Sequence, residues 1–116
     1  MERVTLMDFQ LTHDYDSQNE RWNVTLTGEF DIFNSANLKT ELNELLEKQS
    51  ADLFIDCQHL DYIDSTALGA LVGVMKTVKA GGHEMHLKSV KPNLMKLFRI
   101  THLDKVFIIE ESGKDA

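Results

Sequence analysis

The sequence predicts an α/β fold: a mixed β-sheet with an antiparallel N-terminal hairpin, covered by α-helices, in the order β-β-α-β-α-β-α-β. Three observations carry the prediction. Two early segments alternate apolar and polar residues, the period of a strand with one buried face. Further on, short apolar runs punctuate stretches whose apolar residues recur every three or four positions, the period of a helix. Those stretches are ten or more residues long, enough to return the chain to the same end of a sheet, so the strands they join pair in parallel through right-handed crossovers.

Residues 5–12 alternate loosely and residues 22–27 (Trp-Asn-Val-Thr-Leu-Thr) strictly. The polar, turn-forming residues 13–20 between them predict an antiparallel hairpin. Gly28 is expected to end the second strand. Residues 29–33 follow as a loop with unusual apolar exposure at Phe30, Ile32 and Phe33, and Asn34 and Ser35 offer a helix cap. Leu38, Leu42, Leu45 and Leu46 mark a first helix running to about Gln49, with Lys39, Glu41, Glu44 and Lys48 facing solvent.

The chain is organised around residues 53–79. Leu53, Phe54 and Ile55 read as a strand, and a second apolar pair, Tyr62 and Ile63, leads into Asp64, Ser65 and Thr66. Then the period changes: Leu68, Leu71, Val72, Met75 and Val78 lie on one helical face. Asp64, Ser65 and Thr66 are the residue types that cap a helix N-terminus, so a hydroxyl is displayed where the second helix begins. Gly81 and Gly82 stop that helix, with a left-handed residue expected there. Residues 84–88 form a short strand, Pro92 opens a third helix whose apolar side is Leu94, Met95, Leu97, Phe98 and Ile100, and residues 106–109 make a last strand. Residues 1–4 and 110–116 are expected to be frayed tails around a single domain spanning residues 1–116.

A chain of 116 residues is one ordinary domain, and 42% apolar with 27% charged residues is the balance of a globular protein. The formal net charge of −7 argues against nucleic acid and anionic membrane partners and favours a basic protein partner. The single cysteine, Cys57, cannot form an internal disulfide. No apolar run is long enough for a membrane helix and Met1-Glu2-Arg3 opens no signal peptide, so the expected location is cytoplasmic.

Gly28-Glu29-Phe30-Asp31, Tyr62-Ile63-Asp64-Ser65-Thr66-Ala67-Leu68-Gly69, Gly81-Gly82 and Leu97-Phe98-Arg99-Ile100-Thr101-His102-Leu103 together resemble the bacterial anti-sigma factor antagonists of the STAS class (sulphate transporter and anti-sigma antagonist). The resemblance covers nearly the whole chain in order, and it implies a single STAS domain. The family's motif is commonly Asp-Ser-Ser/Thr-Gly-Leu-Gly, which aligns its phosphorylated serine with Ser65. Ala67 stands where the family usually has glycine; if that position needs an unusual backbone angle or close partner approach, the methyl group hinders kinase docking. The chain also leaves little of the last helix seen in many relatives.

The resemblance implies a partner switch. The unphosphorylated protein binds an anti-sigma factor that is also a serine kinase, and the sigma factor is released. Phosphorylation of Ser65 ends the complex, and a metal-dependent serine phosphatase resets it. The implied partner-binding residues are Asp31, Ile32, Phe33, Asn34, Asp64, Ser65, Thr66 and Ala67. No cofactor, metal or enzymatic activity is implied.

Blander readings stand beside these. Ser65 alone could be only an N-cap, Thr66 a packing or capping neighbour, Asp64 a loop carboxylate, and Ile32 with Phe33 a pair folded into the core. As a nucleophile Ser65 lacks the Gly-x-Ser-x-Gly elbow, and only His59 offers a nearby base. His83 and His86 are expected on opposite faces of one strand, and Cys57 with His59 is too sparse for a metal. The alternative functional reading is a stand-alone STAS adaptor subunit of a lipid transporter or a signalling assembly.

Overall fold

A computed structural model describes residues 9–111. The expected tail at 1–4, residues 112–116 of the expected tail at 110–116, and the beginning of the expected first strand at 5–8 lie outside the described residues, whereas Glu110 and Glu111 belong to the last strand. The elements are β1 (Phe9–Asp16), β2 (Arg21–Phe30), α1 (Ser35–Lys48), β3 (Asp52–Ile63), α2 (Ser65–Ala80), β4 (Met85–Val90), α3 (Pro92–Ile100), a 3-10 turn (Leu103–Lys105) and β5 (Ile108–Glu111). This is the predicted order. One five-stranded sheet runs β1-β2-β3-β4-β5, with β1 antiparallel to β2 and every later neighbour parallel.

Sequential strand order with crossovers of one hand sends every helix to the same side. The side chains agree. In β2, Trp22, Val24, Leu26 and Phe30 are buried in a cluster with Leu38 and Leu42 of α1 and Leu71, Val74 and Val78 of α2, while Arg21, Asn23, Thr25 and Thr27 on the other face are half-buried. On that open face the Arg21 guanidinium lies 4.1 Å from the centre of the Phe54 ring, which stacks on His86.

Several boundaries differ from the sequence reading for identifiable reasons. β1 continues to Asp16, because Asp16 accepts hydrogen bonds from the N–H groups of Gln18 and Asn19 and from Asn19 Nδ2, which shortens the turn to residues 17–20. Gly28 does not end β2. It takes a positive φ of 96° beside a register shift, and the strand runs on to Phe30, which is buried rather than exposed.

The two apolar runs of residues 53–63 belong to one strand. Its register slips twice against β2, so that β3 carries an extra residue between Asp56 and His59 and another between Leu60 and Tyr62. The slips move the inward set from Leu53, Ile55 and Cys57 to Leu60 and Ile63, which breaks the simple alternation.

In α2 the core position is Val74, with Val72 half-buried. Gly82 rather than Gly81 has the left-handed angle, φ 84°. His83 precedes β4 instead of sharing it with His86, and sits 3.5 Å from Asp52. In α3, Ile100 is 74% exposed, and the final strand starts at Ile108 and takes in Glu110 and Glu111.

Candidate functional site

The site is built where three segments end together. Asp64 follows β3 in extended conformation (φ −94°, ψ 178°) and caps α2: its Oδ1 accepts the N–H of Ala67 at 2.9 Å, and its carbonyl accepts that of Leu68 at 2.9 Å. A short polar side chain that can reach back to an orphan N–H is what the start of a helix requires. Asp64 does more than cap. Its second oxygen, Oδ2, accepts the N–H of Ile32 at 3.0 Å, and its own N–H donates to the carbonyl of Phe30 at 3.0 Å. The β2–α1 loop is thereby fastened to the head of α2 by both side chain and backbone.

The loop itself is a knuckle of short polar side chains. Asn34 is buried at 6% exposure; its Oδ1 accepts the N–H of Asp31 at 2.8 Å and its Nδ2 donates to the carbonyl of Glu29 at 3.0 Å. Asp31 Oδ1 accepts the N–H of Phe33 at 2.9 Å, and the Asp31 carbonyl accepts from Ser35 at 2.9 Å. With its polar groups satisfied inwardly, the loop turns two apolar side chains outward: Ile32 is 61% and Phe33 89% exposed. Exposed apolar residues this large, held by a rigid scaffold, mark an interaction surface rather than a frayed loop.

The predicted residues therefore divide into three sets. Ile32, Phe33, Ser65 and Thr66 are exposed on neighbouring segments, and Ser65 opens α2 with its hydroxyl at the surface. Asp31 and Asp64 are half-buried in the bonds that shape the loop. Asn34 and Ala67 are buried, and Ala67 is fully enclosed inside α2 with no positive φ. The Ala67 methyl group is thus part of the core and not of the exposed surface.

Sequence reasoning missed the opposite flank of Ser65. Tyr62, half exposed at the end of β3, together with Ile63, Asp64, Ser65 and the α3 residues Asn93, Leu94 and Leu97, lines a groove of about 460 Å³. Lys91 pairs with Asp61 and fixes the start of α3 against the end of β3. Only the aromatic ring next to the Asp64-Ser65 pair could have signalled this in the sequence.

Among the described residues no cluster of three or more His, Cys, Asp or Glu side chains could hold a metal ion, and no helix is long and apolar enough to cross a membrane. Cys57, at the core, has its thiol pushed up to about 12 by burial, with a lesser contribution from the charge of Asp56, so it is no nucleophile near neutral pH.

The chain matches the STAS domain family over residues 17–116. It is 39% identical over 91 residues to the anti-sigma-B factor antagonist of Bacillus subtilis (strain 168), covering 78% of this chain and 83% of that protein. Its fold is similar to the crystal structure of an anti-sigma factor antagonist from Mycobacterium paratuberculosis, with a TM-score of 0.72, 19% identity and coverage of 87% and 86% of the two chains. It is similar also to the Bacillus cell fate determinant SpoIIAA in its phosphorylated form, with a TM-score of 0.67, 19% identity and coverage of 91% and 92%. Matched along most of its length and carrying the Asp-Ser-Thr motif at the head of α2, this chain belongs to the STAS domain family of anti-sigma factor antagonists.

Proposed function

We propose that the protein is a cytoplasmic anti-sigma factor antagonist switched by phosphorylation of Ser65. In its unphosphorylated form it binds an anti-sigma factor that is also a serine kinase, through Ile32, Phe33, Ser65 and Thr66, and so frees a sigma factor. Asp31, Asn34, Asp64 and Ala67 hold that surface in shape from beneath. The kinase phosphorylates Ser65 and the complex separates; a serine phosphatase of the metal-dependent class restores the binding form. The name of the Bacillus subtilis relative supplies the anti-sigma factor as the class of partner.

The observation that carries this reading is the pairing of an exposed hydroxyl at the first turn of α2 with two outward apolar side chains on a loop bonded to the same turn. Covering an exposed Ile or Phe at an interface is worth roughly 1.5–3 kcal/mol each, enough to supply much of a micromolar affinity. A phosphoserine brings about −1.5 to −2 charges into that interface beside the Asp64 carboxylate. Since about 1.4 kcal/mol is a tenfold change in binding, modest repulsion and desolvation are sufficient to separate the partners without any refolding.

The test is intact-mass spectrometry after incubation with ATP and each anti-sigma kinase of the protein's own genome. One added phosphate on the wild type and none on Ser65→Ala is the expected result. An active kinase that binds the wild type yet leaves it unmodified would remove the phospho-switch.

A further inference from the structure

We propose that the groove between the head of α2 and α3 seats an apolar side chain of the anti-sigma kinase, so that the partner surface continues past Ser65 onto α3. This rests on the reading above that the kinase docks around Ser65. Ser65 itself lines the groove, which makes the groove continuous with the docking surface instead of a separate cleft.

The composition of the walls specifies the occupant. Tyr62 is 49% exposed on one side, and the opposite wall is α3, presenting Asn93 and Leu97 one turn apart. Ile100 continues the same stripe three residues beyond Leu97 and is 74% exposed, although the buried side of α3 is already supplied by Leu94, Met95 and Phe98. Tyr62 and Ile100 are thus apolar surface that the core does not use, and Leu97, half-buried against the core, shows the groove its outer side. A volume of about 460 Å³ is ample for one large side chain. The chain's net charge of −7, with the Asp64 carboxylate lining the groove, favours a partner segment that flanks such an anchor with basic residues. With Ile32 and Phe33 on one flank of Ser65 and the groove on the other, the hydroxyl sits between two apolar contacts. A kinase held on both sides delivers its active site to Ser65 in one orientation.

Titration of the purified anti-sigma kinases of the same genome against a small set of variants tests the inference, each variant being checked for its melting temperature. Asn93→Trp fills the groove from an exposed position, Tyr62→Ala opens one wall, and Glu41→Trp on the solvent side of α1 is the control. The expected result is binding weakened about tenfold or more by both groove variants, the loss typical when an anchoring pocket is blocked, with the control unchanged. Wild-type affinity in both groove variants, while Ser65→Asp and Phe33→Ala weaken binding, overturns the groove and leaves the phospho-switch standing. Failure of every such kinase to bind the wild type overturns the switch reading itself, and the groove with it.

Discussion

Asp64 is the residue on which the site's geometry depends most, and its two oxygens allow its two tasks to be separated. Asp64→Ala removes the cap on Ala67 N–H, worth about 1 kcal/mol, and the bond to Ile32 N–H, worth about 1 kcal/mol more. Asp64→Asn keeps a side-chain oxygen for the cap, at which asparagine is as good as aspartate, but offers an amide N–H₂ where Ile32 needs an acceptor. The two variants should therefore differ by about 1 kcal/mol. For a chain of this length each kcal/mol shifts the midpoint by about 4 °C, which places Asp64→Asn about 4 °C and Asp64→Ala about 8 °C below wild type. Thermal unfolding followed by circular dichroism measures the totals, and amide hydrogen exchange at Ile32 and Ala67 apportions them. Exchange at Ile32 should quicken in both variants, and at Ala67 only in Asp64→Ala. An Asp64→Asn protein that melts with the wild type and still protects Ile32 would refute the claim that this carboxylate ties the β2–α1 loop to α2.

Phe30, at the end of β2, and Phe33, in the loop that follows, should respond in opposite ways. Phe33→Ala, at an exposed position, should leave stability within about 0.5 kcal/mol while weakening kinase binding, whereas Phe30→Ala should cost about 3–5 kcal/mol in denaturant unfolding. Because Ala67 is buried in α2, Ala67→Gly should lower stability by roughly 0.5–1 kcal/mol and leave the kinase dissociation constant unchanged, which a calorimetric titration checks. Cys57, buried with its thiol raised to about 12, should resist a disulfide-exchange reagent at pH 8 in the native protein and react fully once unfolded. Asp16 is held below its ordinary value of 3.8 chiefly by the Asn19 side chain; its small contribution to stability is present above that value and lost as pH falls through the lowered one. Asn19→Ala should move its titration upward in an NMR pH series.

Much of this fold is legible because periodicity and capping agree. Leu38, Leu42 and Leu45 keep strict helical spacing and all three are buried, and Asp64 caps α2 where the apolar period changes from two to three and four. What escaped the sequence depended on contacts between distant segments. The two slips in β3 arise from its pairing with β2, and no local pattern in residues 56–62 announces them. Phe30 and Phe33 look alike in sequence; only the positive φ at Gly28 and the Asn34 clasp decide that one turns inward and the other out. The groove was invisible for the same reason, since Tyr62 and Leu97 meet only after α3 has crossed back over the sheet.

The same contacts bear on the proposed switch, in which a phosphate on Ser65 acts without moving the backbone. Of the first N–H groups of α2, Ala67 donates to the Asp64 side chain and Leu68 to the Asp64 carbonyl, so the cap stays occupied whatever happens to Ser65. The N–H groups of Ser65 and Thr66 have no acceptor among the described residues. A phosphate there meets two open donors and the positive end of the helix dipole, which favour it, and the Asp64 carboxylate, which opposes it. Those local terms largely offset, so the folded protein can carry the phosphate at little cost to stability. The balance differs at the interface: a partner that covers Ser65 must strip water from a group carrying about −1.5 to −2 charges, against Ile32 and Phe33, which offer it no counter-charge. In the proposed switch the penalty falls chiefly on the desolvation of one group, and stability measured on phosphorylated protein should stay near that of the unmodified form while partner affinity collapses.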